Sequence, residues 1–256
     1  AAWHMTKLSP RPKLFFSGGI RMEANRQEML SHSLTNIPIE VVNHEISLLP
    51  SASLSYNFSS DNLIRISYGK TVNRPEFREL APYGFYDFSY NLVKKGNEFL
   101  ESAYIQNLDI RWELYPSHTE TISVGVFYKF FERPIESSFI DGGGSGGIKT
   151  FSYTNAHSAI SRGVETEIRK ALGTGSRLLW LDGFSLLFNA ALVQSNVKLG
   201  DAGVSQSRTQ RPMQGQSPFM VNAGIFYQNH PSDWQISLLY NIIGQRIFII
   251  GYHSYP

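Results

Sequence analysis

Four groups of residues in this chain have types and spacings that chemistry uses. The first is a glycine run. Gly143-Gly144-Ser145-Gly146-Gly147 matches the G-x-S-x-G of a nucleophile elbow, and Gly142, Gly144 and Gly147 match the G-x-G-x-x-G of a phosphate loop. Both mechanisms need a strand–turn–helix frame, and no helical pattern follows this run. A glycine-rich loop satisfies both patterns by composition alone. The second group is the histidines at 4, 32, 44, 118, 157, 230 and 253, none at a metal-ligand spacing. The residues therefore indicate no catalytic centre, no cofactor and no metal site. The third group is Arg74 and Arg78 with Tyr83, Tyr86 and Tyr90, joined by Arg208 and Arg211 in a later polar stretch. Guanidinium groups grip carboxylates and phosphates through paired hydrogen bonds, and tyrosine rings stack on sugars and aromatic ligands. Segments 73–90 and 205–216 are thus candidate ligand contacts. The proline and aromatic content of 73–90 equally suits a segment packed against a wall, and its residues leave both readings open. The fourth group alternates charge: Asp109, Arg111 and Glu113, then Glu165, Glu167 and Arg169. These form either acid–base pairs or one wet face of a sheet.

The elements that carry the fourth group decide for the wet face. From Tyr104 to Phe131 two arms flank a turn at Pro116–Glu120. Leu108, Ile110, Trp112 and Leu114 alternate with Asp109, Arg111 and Glu113, and Ile122, Val124, Val126, Tyr128 and Phe130 alternate with Thr121, Ser123, Gly125, Phe127 and Lys129. Strand side chains alternate with a period of two, so each arm reads as a strand with one apolar and one polar face. The same alternation runs from Lys13 to about Arg26, from Glu45 to Phe58 and over Ile64–Tyr68. It returns in a long strand from Lys149 to Lys170, over Leu186–Leu192, and in a hairpin from Val221 to Tyr240. Polar stretches at 28–42, 71–102, 141–147 and 197–216 separate them.

Composition narrows the solvent that the apolar faces meet. The chain has 256 residues, 17% charged and 13% aromatic, with no cysteine and a net charge of +2. Mean hydropathy is −0.20, and no apolar run reaches the roughly 18 residues of a membrane helix. The small net charge offers no argument for nucleic acid. Few charges and many aromatics, without such a run, fit a membrane β-barrel. The strands, mostly around 11–15 residues, exceed the soluble mode of about 5–6. Connections near 10, 60, 118 and 231 are short, and those near 35, 87, 141 and 206 are longer. That rhythm is expected of an up-and-down barrel with tight turns at one rim and long loops at the other. The expected fold is all-β: part of a large antiparallel up-and-down transmembrane β-barrel. Residues 1–256 then form one partial barrel domain, since Ala1-Ala2-Trp3-His4 has no signal segment and the chain stops just after an apolar run. The alternatives are a soluble β-sandwich that binds a ligand, for instance carbohydrate, and a passive porin or adhesin barrel.

One series of motifs is specific in combination. Asn73-Arg74-Pro75-Glu76-Phe77-Arg78-Glu79-Leu80-Ala81-Pro82, followed by Phe85-Tyr86-Asp87-Phe88, resembles the barrel of TonB-dependent outer-membrane receptors of the Bacteroidetes type. In the same order come Asn107-Leu108-Asp109-Ile110-Arg111-Trp112-Glu113, Phe127-Tyr128-Lys129 with Pro134-Ile135-Glu136, Gly163-Val164-Glu165-Thr166-Glu167, and Gln214-Gly215-Gln216-Ser217-Pro218. The resemblance implies about 10–11 strands of a 22-stranded barrel that holds an N-terminal plug. It also implies import of a scarce nutrient across the outer membrane, driven by the TonB complex. The nutrient would be an iron chelate, cobalamin, a glycan or a peptide. The implied partners are the plug of the same parent chain, the TonB complex through a region not present here, membrane lipid and a small nutrient ligand. Asp109, Arg111, Glu113, Glu165, Glu167 and Arg169 would line the lumen.

Overall fold

The computed structural model describes residues 1–32, 36–89, 91–140, 149–173, 181–200, 210–229 and 234–248. The glycine run at 141–147, Tyr90 and Arg208 lie outside them. The strands, in chain order, are β1 (Ala2–Arg11), β2 (Leu14–His32), β3 (Pro38–Asn57), β4 (Asn62–Asn73), β5 (Gly84–Asp87), β6 (Leu92–Lys95), β7 (Ala103–Ser117), β8 (Glu120–Glu132), β9 (Ile135–Ile140), β10 (Lys149–Asn155), β11 (Ser158–Ala171), β12 (Phe184–Lys198), β13 (Gln210–Arg211), β14 (Phe219–Asn229) and β15 (Trp234–Ile243). One helical turn, α1 (Phe77–Leu80), precedes β5. The main sheet is antiparallel and runs β1-β2-β3-β4-β7-β8-β11-β12-β14-β15, with β13 on β12. Each strand pairs with its sequence neighbour once the loop elements are set aside, which is an up-and-down meander.

The register makes the two faces explicit. Leu8, Phe16, Leu54, Ile66, Ile110, Val126, Val164 and Leu192 form one row across eight strands. All but Phe16 are exposed, Leu192 to 66%. The next row on the opposite face is Phe15, Ser55, Arg65, Arg111, Gly125, Glu165, Ala191 and Met220. Soluble monomers rarely leave apolar patches above a few hundred Å² uncovered. An apolar row across eight strands needs an apolar solvent. The polar face is concave, because one trough on it touches β4, β7, β8, β11, β12 and β14.

The upper edge of the apolar band crosses the rows obliquely. Its first outward polar residue is Arg26 on β2, Lys70 on β4, Arg162 on β11 and Gln194 on β12. Counted from the row above, these lie about ten, four, two and two residues up. A drop of about eight residues over six strand spacings, at roughly 3.3 Å per residue and 4.8 Å per strand, is a tilt of about 40°. That lies inside the 35–45° of outer-membrane barrels.

Two boundaries differ from the sequence expectation. The polar stretch 28–42 is not a loop: β2 continues to His32 and β3 begins at Pro38, with pairing from Leu14↔Tyr56 to His32↔Pro38. Above the band the alternation changes sign. Arg26, Glu28 and His44 now point outward, while Met29, Ile39 and Val41 point inward and pack with Leu80 and Leu100. The expected strand 149–170 is also two strands in different sheets. The break falls at buried Ala156, whose N–H donates to Pro134 O, while His157 N–H donates to Lys198 O.

Candidate functional site

Alternation delivers the inward charges to one place. Arg65, Asp109, Arg111, Glu113, Glu165 and Glu167 line a trough of about 500 Å³, with Ser123, Asn189 and Asn222. Arg111 Nη2 donates to Ser123 Oγ at 2.9 Å and to Glu167 Oε2 at 3.2 Å. Its Nε lies 3.5 Å from Glu113, and Arg65 Nη2 lies 3.6 Å from the same carboxylate. Tyr115 Oη also donates to Glu113, at 2.8 Å. Glu113 is buried between two cations and a phenol. Among the described residues Asp109 and Glu165 make no ion pair. Arg169 is exposed on this face below Glu167, outside the trough lining. Nothing here pairs a nucleophile with a base. The half-exposed pairs contribute at most about 1 kcal/mol each, so their arrangement is that of a solvated wall. Arg65 completes the constellation; its alternation with Ile64 and Ile66 already marked its face, but only strand order shows that it reaches Glu113.

The second site is built on the long connections. β5, β6, β10 and β9 form a small separate sheet. Its central pair, β6 and β10, is parallel and comes from two different connections, 74–102 and 133–157. Side chains reinforce this strap. Asn155 Nδ2 donates to Glu101 O and Arg133 O, Asn97 Nδ2 donates to Tyr153 O, and Arg133 pairs with Glu101. Leu80 and Leu100 pack with Met29, Ile39, Val41, Ile135 and Tyr153, which seats the strap on the inward side of β2 and β3. Gly96 lies against α1 so closely that a Cβ there would meet backbone atoms of Ala81 and Glu79.

The arginine and tyrosine candidates divide between these structures. Above Ser51↔Gly69 the β3–β4 pairing stops, while β2–β3 and β4–β7 continue. Arg74 fills this fork. Its Nη1 donates to Glu23 at 2.8 Å, its Nη2 to Ser47 at 3.2 Å, and its Nε lies 3.5 Å from Glu45. Ser102 and Tyr104 donate to the same Glu45 carboxylate. Arg78 lies 5.4 Å over the Phe85 ring, and Tyr83 meets Phe85 in a tilted contact with centroids 5.1 Å apart. On the other face of β5, Tyr86 meets Phe88 edge-on and donates to Asn91 at 2.5 Å. Phe88 is 87% exposed. Arg211 is elsewhere, in a buried pair with Glu136 at 2.9 Å. Burial pushes the Glu136 carboxyl up, with Arg211 opposing that shift. The fork and the Arg211–Glu136 link carry no local sequence signal, because the partners are 51 and 75 residues apart.

Comparison with known proteins agrees with this geometry. The profile of the outer membrane protein beta-barrel family matches residues 5–255. No curated protein is similar in sequence. Among solved structures, the siderophore receptor PirA from Pseudomonas aeruginosa superimposes with a TM-score of 0.64 at 14% identity, over 94% of this chain and 39% of that one. The Serratia marcescens hemophore receptor HasR, solved with its hemophore HasA and heme, gives 0.63 at 10% identity, over 95% and 43%. The FrpB iron transporter from Neisseria meningitidis gives 0.57 at 10% identity, over 93% and 31%. The chain thus spans less than half the length of these proteins, and they share its fold.

Proposed function

We propose that this chain, which belongs to the outer membrane protein beta-barrel family, is part of the barrel wall of a TonB-dependent receptor that imports a scarce nutrient. The observation that carries the proposal is the sheet itself. Its outer face is a continuous exposed apolar band, its inner face is charged, and loops from one rim fold onto the inner side. The family lies in the outer membrane, so the band meets lipid. Tight turns mark the periplasmic rim and long connections the outer one. The remaining strands of a barrel of about 22 would pair with β1 and β15, each of which pairs on one side only among the described residues.

An N-terminal plug of the same parent protein would fill the lumen, and its basic groups would meet the unpaired Asp109 and Glu165. Arg78, Tyr83, Tyr86 and exposed Phe88 would contact the ligand, with Tyr90 beside them in sequence and Arg208 joining from the separate 205–216 stretch. Arg74 and Arg211 would hold the loops that carry that surface. The similar siderophore, hemophore and iron proteins support an iron chelate as the first nutrient to test, before cobalamin, glycans and peptides.

The test is uptake by cells that carry or lack the full-length protein, with the energising complex intact or deleted. Uptake of one nutrient that needs both is the expected result. Uptake that persists without the energising complex would make the protein a passive pore and overturn the proposal.

A further inference from the structure

The outward face holds a polar pocket just above the apolar band, and we propose that it binds the phosphorylated head group of an outer-leaflet glycolipid. It measures about 370 Å³ and is lined by Ile160, Arg162, Gln194, Asn196, Gln210 and Pro212 among others. Parity places these even-numbered residues of β11 and β12 on the lipid side, directly above Val164 and Leu192. The inference rests on the outer-membrane location of the family and on the outer rim being the one with long connections.

The chemistry of the lining selects the ligand. Arg162 donates from Nε and Nη2 to Gln194 Oε1, at 3.2 and 2.9 Å, which fixes the guanidinium in place. Among the described residues it meets no carboxylate. The cations that mark this boundary on β2 and β4 are satisfied: Arg26 pairs with Glu28 at 2.7 Å, and Lys70 sits 4.5 Å over the Tyr104 ring. A fixed guanidinium at a membrane boundary is matched by an anion, and a planar fork suits phosphate. Asn196 adds the second requirement. Its Nδ2 donates to Gln210 Oε1 at 3.4 Å, but its Oδ1 is buried without a partner. A buried acceptor calls for a donor. The amide groups of Gln194 and Gln210 supply further donors. A phosphate for Arg162, with a neighbouring sugar hydroxyl donating to Asn196 Oδ1, satisfies both. The pocket exceeds the size of a phosphate alone, which leaves room for that sugar.

The experiment uses the full-length protein extracted in mild detergent. Retained lipid is measured by native mass spectrometry after exchange with a phosphorylated diglucosamine lipid, the same lipid without phosphate, or phosphatidylethanolamine. Arg162→Gln is expected to lower retention of the phosphorylated glycolipid by about tenfold or more. Asn196→Leu is expected to lower it less. Arg26→Gln, a change at the same boundary in a paired arginine, is expected to leave it unchanged. Heat-modifiable gel migration shows that each variant has folded. Unchanged retention in Arg162→Gln, an equal loss in Arg26→Gln, or equal retention of phosphatidylethanolamine would each overturn the proposal. A protein that transports but holds no lipid here refutes this inference alone, and a passive pore that holds the lipid refutes only the transport reading.

Discussion

Replacing Ile110 by arginine tests the facing of the whole sheet. On β7 the outward band runs from Leu108 to Leu114, with polar Gln106 above it. Ile110 therefore lies four residues below polar Gln106 and four above Leu114 at the far end of the band, or about 13 Å along the strand either way. A tilt of about 40° reduces this to about 10 Å of depth, more than an arginine side chain spans without thinning the bilayer. The full-length barrel should lose roughly 2–4 kcal/mol. The same substitution at Leu108 should cost about half as much, and at Gln106 about 0–1 kcal/mol. Arg111→Ser is the inward control. It removes contacts to Glu113, Glu167 and Ser123 at a half-exposed site, and Glu113 keeps Arg65 and Tyr115. Its cost should stay near 1 kcal/mol. Guanidinium titration in lipid vesicles, followed by tryptophan fluorescence and heat-modifiable migration, gives the ordering. A flat profile from Gln106 to Ile110, or an Arg111→Ser cost equal to that of Ile110→Arg, would refute both the facing and the tilt.

Three further outcomes follow from particular contacts. Gly163→Ala should cost about 1–3 kcal/mol, because its Cβ would meet Leu192 O and the Phe127 ring, and Phe127→Leu should recover part of that loss in the same titration. Gly96→Val should push α1 off the strap, so amide exchange at 77–81 should rise while the barrel keeps its gel migration. Arg211→Met leaves Glu136 buried alone, which costs roughly 3–5 kcal/mol when it is charged. Burial already raises this carboxyl in the folded protein, so protection of β9 and β10 in the variant should be full below the ordinary glutamate range. It should fall as pH rises through the raised value, and exchange corrected for intrinsic rate that shows no such fall would count against this account.

The alternation in β7 and β8 made the wall readable from sequence, because there the apolar face meets lipid throughout. The same rule hid the upper half of β2 and β3. Glu28 and the rest of 28–42 read as loop composition, yet 28–32 and 38–42 are strand residues in the zone where the outside is water and the inside is packed. The charged trough was legible residue by residue, since Asp109, Arg111 and Glu113 lie on one strand. The loop structures were not. Leu92–Lys95 is four residues long and gains its order from a parallel partner more than fifty residues away. The ion pairs of Arg74 could not be read from sequence because its two carboxylate neighbours, Glu23 and Glu45, lie on earlier strands that only the folded register brings near.

The parallel pairing of β6 with β10 has a consequence for how such a protein changes over time. Two connections that share four ladder positions cannot lengthen, shorten or drift in sequence independently near that seam. An insertion in 92–95 shifts what 149–152 must offer, and the register of β10 on β9 passes the shift onward. New binding preferences would therefore arise most easily at the exposed tip around Phe88, outside the seam. A chimera that moves the 74–102 connection into another barrel would have to bring 133–157 with it.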